Sequence, residues 1–84
     1  MGQPQWCVVT GLVGFGVRVA CRSVIRTDGV PVPAGVMAEF EEDGWVLRPA
    51  VRVPLADAIS ARRVGALPPH YLEQVLAFVG EEMP

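Results

Sequence analysis

The side chains in this sequence best suited to chemistry are arginines. Every one of its seven basic residues is an Arg, and Lys is absent. Arg18, Arg22 and Arg26 recur at every fourth position in VRVACRSVIR (17–26), and Arg48 and Arg52 repeat the interval in LRPAVRV (47–53). A guanidinium is a planar fork that pairs with carboxylate or phosphate oxygens two at a time. On an extended strand the first three would stand about 13 Å apart along one face. If the two segments were neighbours in a sheet, five guanidinium groups would share that face, a pattern suited to a phosphate backbone or an acidic protein surface. The plainer reading is a solvated face neutralised by Glu39, Glu41 and nearby acids. Among ligands, a protein ranks above nucleic acid, because the net charge is −2 and no exposed aromatic is interleaved for base stacking. Arg-only usage alongside abundant Ala, Val, Gly and Pro is also what a GC-rich genome produces.

The remaining candidates for catalysis are weaker. His70 is the only histidine; no Ser, Cys or Asp pattern flanks it, and a general base needs a partner within reach. Glu41, Glu42 and Asp43 cluster at a predicted turn, where opposed carboxylates cannot line a cleft. GLVGFG (11–16) lacks the lysine of a phosphate-binding loop and the order of a dinucleotide fingerprint, and reads as a loop or hairpin bend. Cys7 and Cys21 form no CxxC or Cys/His cluster. They read as buried free thiols, with one disulfide as the less favoured alternative. The pattern therefore assigns no catalytic residue, no metal ligand and no cofactor.

The elements that would position the arginines follow from periodicity. In 17–26 the odd positions Val17, Val19, Cys21 and Ile25 are mostly apolar, and the even positions carry Arg18, Arg22 and Arg26. This two-residue alternation predicts a strand, with an earlier strand at about 5–10. Asp28-Gly29 marks a turn. Pro31 and Pro33 confine 30–35 to an edge strand or an extended loop. MAEFEEDGWVLRPAVRV (37–53) predicts a hairpin around Asp43-Gly44, pairing Glu42 with Trp45, Phe40 with Leu47 and Glu39 with Arg48. Arg48 and Arg52 would then face away from Leu47, Val51 and Val53. Trp45, beside the turn, is a candidate interface anchor. From Pro54 the period changes. PLADAISARRVG has Pro54 at its start, Asp57 in the first turn, Arg62 and Arg63 near its end and Gly65 beyond, the signals of a short helix. LPPHYLEQVLAFVG then carries a stripe of Tyr71, Leu72, Val75, Leu76 and Val79 at helical spacing, with Gly80 as its cap.

The expected fold is α+β in a single domain spanning 1–84: an antiparallel sheet of three to five strands (1–53), then two short helices (54–84). So small a domain buries only about 60–65% of its unfolded surface, yet 51% of the residues are hydrophobic. A surplus of apolar side chains in a small body points to an interface, with a homodimer expected. Residues 1–17 hold no charge, but WCVVTGLVGFGV is too short and too rich in Gly to cross a membrane. Without a positive start it reads as core strand in a cytoplasmic protein.

Two segments carry resemblances. PLADAISARRVGALPPHYLEQVLAFV (54–79) resembles the short helical tails of small bacterial antitoxins, and EFEEDGWVLRP (39–49) is similar to the hairpins of AbrB-like antitoxins. Together they cover about half of the chain; residues 1–36 match nothing in that pattern. The resemblance implies a dimer that binds a toxin and often operator DNA. VGALPPHYLEQVL also resembles the end of MazF/PemK-like endoribonuclease toxins, although the diagnostic N-terminal strand of that family is not identifiable here. The expectation is a non-enzymatic binding protein of bacterial or phage origin, such as an antitoxin or a phage-borne inhibitor of the anti-CRISPR kind. It would act by occupying a protein partner's surface through Arg18, Arg22, Arg26, Arg48, Arg52 and Trp45. A MazF-like ribonuclease and a nucleic-acid-binding regulator are the alternatives.

Overall fold

A computed structural model describes residues 5–61 and 65–80. The first strand, β1 (Cys7–Val13), and the second, β2 (Gly16–Ser23), form an antiparallel hairpin with Val13 opposite Gly16. The two-residue loop is Gly14-Phe15. Gly14 sits at φ 58°, the positive φ that a tight hairpin turn needs at its first position and that glycine supplies without a Cβ clash. The bend in GLVGFG therefore falls at its fourth and fifth residues, and its first three continue β1 beyond the expected end at Thr10. A register shift between Val9 and Gly11 makes Thr10 the extra residue of a bulge. Its hydroxyl donates to the Arg18 carbonyl at 3.3 Å.

β2 organises the sheet. One of its edges pairs with β1. The other pairs with β5 (Val51–Pro54) along Gly16–Val19 and with β4 (Gly44–Val46) at Arg22–Ser23. β3 (Val30–Val32) pairs with the far side of β4, so Pro31 lies on an edge strand, where its missing N–H costs no ladder bond. The result is a five-stranded antiparallel sheet that curls, followed by two helices: the α+β class expected.

The hairpin around Asp43-Gly44 is corrected. Residues 37–42 are not a strand. They fold into turns closed by Phe40 N–H to the Met37 carbonyl and Gly35 N–H to the Phe40 carbonyl, both 3.0 Å. The partner of β4 is β3, with Val30, Pro31 and Val32 opposite Val46, Trp45 and Gly44. The connection between them spans 33–43, and the Asp43 carboxylate closes it by accepting from Ala34 N–H at 2.9 Å. The long strand expected over 45–53 is also broken, between β4 and β5, at the cis Arg48-Pro49 bond. The two pieces pair with different stretches of β2.

Helix α1 (Leu55–Ser60) starts one residue later than Pro54, which caps it, and carries Asp57 in its first turn. It ends by Ala61; the Ser60 hydroxyl bonds back to the Ala56 and Asp57 carbonyls at 3.1 Å. The Arg62 and Arg63 expected near its end lie outside the described residues. Helix α2 (Pro69–Gly80) falls within the expected helical segment, opening at the second of its two prolines and with Gly80 inside it rather than capping it. Of the predicted stripe, Val75 and Val79 are buried, Tyr71 and Leu72 half-buried, and Leu76 is exposed. α2 packs on β3, and α1 on β2 and β5. The core consists of Ala20, Val30, Val32, Phe40, Val46, Val75 and Val79. Its largest fully buried side chains are valines, as a domain with this much surface per volume allows.

Candidate functional site

The five arginines do not form one face. Arg22 follows Ala20 on the same side of β2, and Ala20 is wholly buried, so at this level the side expected to meet water faces the core. Arg22 is 8% exposed. Its Nε and Nη2 donate to the Val32 carbonyl at 3.2 and 2.8 Å, and Nη2 donates also to the Glu42 carbonyl. The guanidinium carbon lies 4.1 Å above the centre of the Phe40 ring. Burial pushes the guanidinium below its usual value, and the Asp43 and Glu42 charges pull it back up. A Cβ on Gly44 would come within 2.5 Å of the Arg22 Cζ, so glycine is needed there to admit the arginine. Arg22 thus binds the 33–43 loop to the sheet and is not available to a partner.

Arg26 lies beyond the end of β2, paired with Asp28 at 2.6 Å. The hydrogen bond from Arg26 holds the Asp28 carboxyl below its usual range. Both side chains are exposed, and such pairs contribute little. Arg48 crosses to α2, with its guanidinium 4.2 Å above the Phe78 ring and Nη1 donating to the Phe78 carbonyl at 3.2 Å. That places a cation near a helix C-terminus, where the dipole favours it. The Glu39 pairing expected for Arg48 is not formed. Only Arg18 and Arg52 stand side by side, as direct partners across β2 and β5, with Arg52 lying over Gly16. Trp45 is half-buried within β4, between Ser23 and Pro31.

The thiols and the imidazole have simple surroundings. Cys7 and Cys21 are opposed residues on β1 and β2, with their sulfurs 3.3 Å apart and both free. Cys7 is exposed as a residue, but partial burial of its thiol first, and then the Cys21 thiol, push it up to about 12. His70 is exposed, 2.9 Å from the Gln74 amide nitrogen and edge-on to Tyr71. Glu41, Glu42 and Asp43 are exposed on the 33–43 loop. Among the described residues no group of three or more His, Cys, Asp or Glu is placed to hold a metal ion.

What the surface offers instead is apolar. Cross-strand register puts Val9, Val19 and Val51 in one row across β1, β2 and β5, with Val9 and Val51 exposed, and Leu12, Val17 and Val53 in the next, where Leu12 is exposed, Val53 half-buried and Val17 buried. Leu12 is 78% exposed, Phe15 at the hairpin tip 89% and Ile59 on α1 74%. The Phe15 carbonyl accepts from Leu55 N–H at 3.0 Å, so the tip adjoins the start of α1. Beside this surface runs a groove of about 790 Å³. Trp6, Cys7, Val9 and Val19 line it from the sheet, Val53 from β5, and Ala58, Leu67 and Leu72 from the helical part. Contiguous exposed apolar surface of this kind marks interaction sites.

No family model, curated protein or solved structure matches this chain. The site is therefore defined by its own geometry. Sequence reasoning missed the burial of Arg22 and the groove. The first had a signal: Ala20, two residues before Arg22, is a small apolar side chain on the supposedly wet side of the strand. The second had none, because the groove is assembled by residues from three separate stretches of chain.

Proposed function

We propose that this chain is a non-enzymatic, cytoplasmic binding protein, of the antitoxin or phage-borne inhibitor kind, that occupies the surface of a protein partner. One observation supports this above the others: Leu12, Phe15 and Ile59 leave most of their apolar surface in water on elements that adjoin one another. A small domain gains stability by burying such side chains in itself where it can. Left outside beside an apolar groove, they suit the centre of an interface. Arg52 is exposed on the opposite side of the same sheet and lies outside this contact. Arg22 has no part in this contact. The arrangement favours protein over nucleic acid, since Arg22, Arg26 and Arg48 are engaged within the chain.

Affinity capture with the tagged chain tests the proposal, with Leu12→Asp and Phe15→Ser compared against wild type after circular dichroism confirms folding. A partner retained by wild type and lost by both variants supports it; equal retention by all three refutes this surface as the contact. Growth arrest on expression in a bacterium would instead favour the ribonuclease toxin.

A further inference from the structure

We propose that Cys7 and Cys21 are a covalent modification site: a dithiol that closes to an intramolecular disulfide when it meets a low-molecular-weight disulfide, and reopens when reduced. The inference does not depend on the protein-binding proposal. It rests on register and distance. Cys7 and Cys21 are direct partners across antiparallel strands, and their sulfurs already lie 3.3 Å apart. Opposed α-carbons in such a ladder are separated by about 4.5–5.5 Å, inside the range of about 4.4–6.8 Å that a disulfide spans. Bond formation therefore asks for rotation and approach of two side chains, with the strands staying in place. The chain has no other cysteine, so no competing intramolecular pairing exists.

Position gives the bond a consequence. The hairpin is closed at one end by Gly14-Phe15, and Cys7–Cys21 is the last paired position at the other. Just beyond it, Arg22 N–H donates to the Trp6 carbonyl at 2.9 Å. A disulfide would clamp the hairpin at its open end, where strands fray first, and fix the strand residues that form one wall of the apolar groove. Cys7 is exposed, which gives a small reagent access.

The exchange balances without a metal or a cofactor. One thiolate attacks a sulfur of the small disulfide RSSR, forming a mixed disulfide and releasing one RS⁻, which takes up a proton. The second cysteine, as thiolate, attacks the protein-side sulfur of that mixed disulfide and expels the other RS⁻. Two protein thiols and RSSR become one protein disulfide and two RSH. Because the thiolate is the nucleophile, the elevated Cys7 value makes the reaction slow at neutral pH and faster as pH rises.

The test uses the full chain, reduced, desalted and incubated with excess glutathione disulfide at mildly alkaline pH. The expected product has lost two hydrogens, yields a linked Cys7–Cys21 peptide on non-reducing digestion, melts several degrees higher than the reduced form and reverts with dithiothreitol. Cys21→Ser should stop at one glutathione on Cys7. Persistent glutathione adducts on wild type, disulfide-linked dimers, or thiols that react only after denaturation in urea would each overturn the proposal. The wild-type mass measurement decides it even if the single-cysteine variants fail to fold.

Discussion

Truncating Arg22 leaves the Val32 and Glu42 carbonyls without their donor and the face of Phe40 uncovered. Hydrogen bonds from a charged group contribute about 1.5–3 kcal/mol each to stability, and orphaned buried partners carry their own penalty. Arg22→Ala is expected to destabilise the chain by about 2–4 kcal/mol, and Arg22→Glu by more, because it buries a carboxylate among carbonyl oxygens. Arg26→Ala should cost less than about 0.5 kcal/mol. Urea denaturation of the three variants checks the order; an Arg22→Ala chain as stable as wild type would mean the guanidinium is hydrated rather than buried. Cys7 gives a second, opposite kind of dependence. The native chain holds its thiol proton up to about 12, against an ordinary value of 9.0. A proton bound more tightly in the folded than in the unfolded state stabilises the fold below the unfolded value, and that stabilisation is lost as pH climbs toward the folded one. Under reducing conditions wild type should therefore lose stability between about pH 9 and 12 more steeply than Cys7→Ser, as paired denaturation curves at stepped pH will show.

The elements differ in how openly the sequence declares them. Alternation over 17–26 identifies β2 because Val17, Val19 and Cys21 keep an apolar period against Arg18 and Arg22, interrupted by Ala20. The helical stripe identifies α2, and within it burial separates Val75, fully inside, from Leu76, 42% exposed. Val75→Ala should accordingly cost about 2 kcal/mol, against a few tenths for Leu76→Ala, a contrast readable from thermal melts. The hairpin at 43–44 failed for a reason of packing. Asp-Gly satisfies the local rules of a tight turn, but the same glycine is needed to seat Arg22, and the same aspartate closes a longer loop onto Ala34. Phe40 is consequently drawn into the core as a cap over a cation rather than as a strand residue. The arginine interval is a strand period only at Arg18, Arg22 and Arg52; Arg26 and Arg48 lie off the strands, and Arg22 faces the core rather than solvent. A curled sheet in a small domain wraps its faces unevenly, so one face is wet at Arg52 and dry at Arg22. Local alternation cannot report that curvature. The groove is beyond the reach of any single window for the same reason.

Taken whole, the molecule has one sheet edge that invites company. Among the described residues β1 pairs on one side only, and its seven residues carry neither charge nor proline, the devices by which edge strands usually repel a second strand. The bulge at Thr10 is its one irregularity. A homodimer joined through β1 is the expected assembly. Light scattering on the eluting species should give twice the chain mass, and Leu12→Lys should return it to one; a monomer at every concentration would leave β1 to a different partner.

The central place of β2 also bears on how the chain is made. β1 and β2 are synthesised before the strands that complete their pairing, as a two-stranded ribbon whose exposed side chains include Val9, Leu12 and Phe15. Such a ribbon is at best marginal in water. The rest of its hydrogen bonding arrives only with Trp45–Val46 and then Val51–Pro54, well after Ser23 ends β2. Until then the nascent hairpin offers two open edges and an oily face to water. Acquisition of the fold is thereby tied to synthesis of β4 and β5, and a product stalled before them would be sticky.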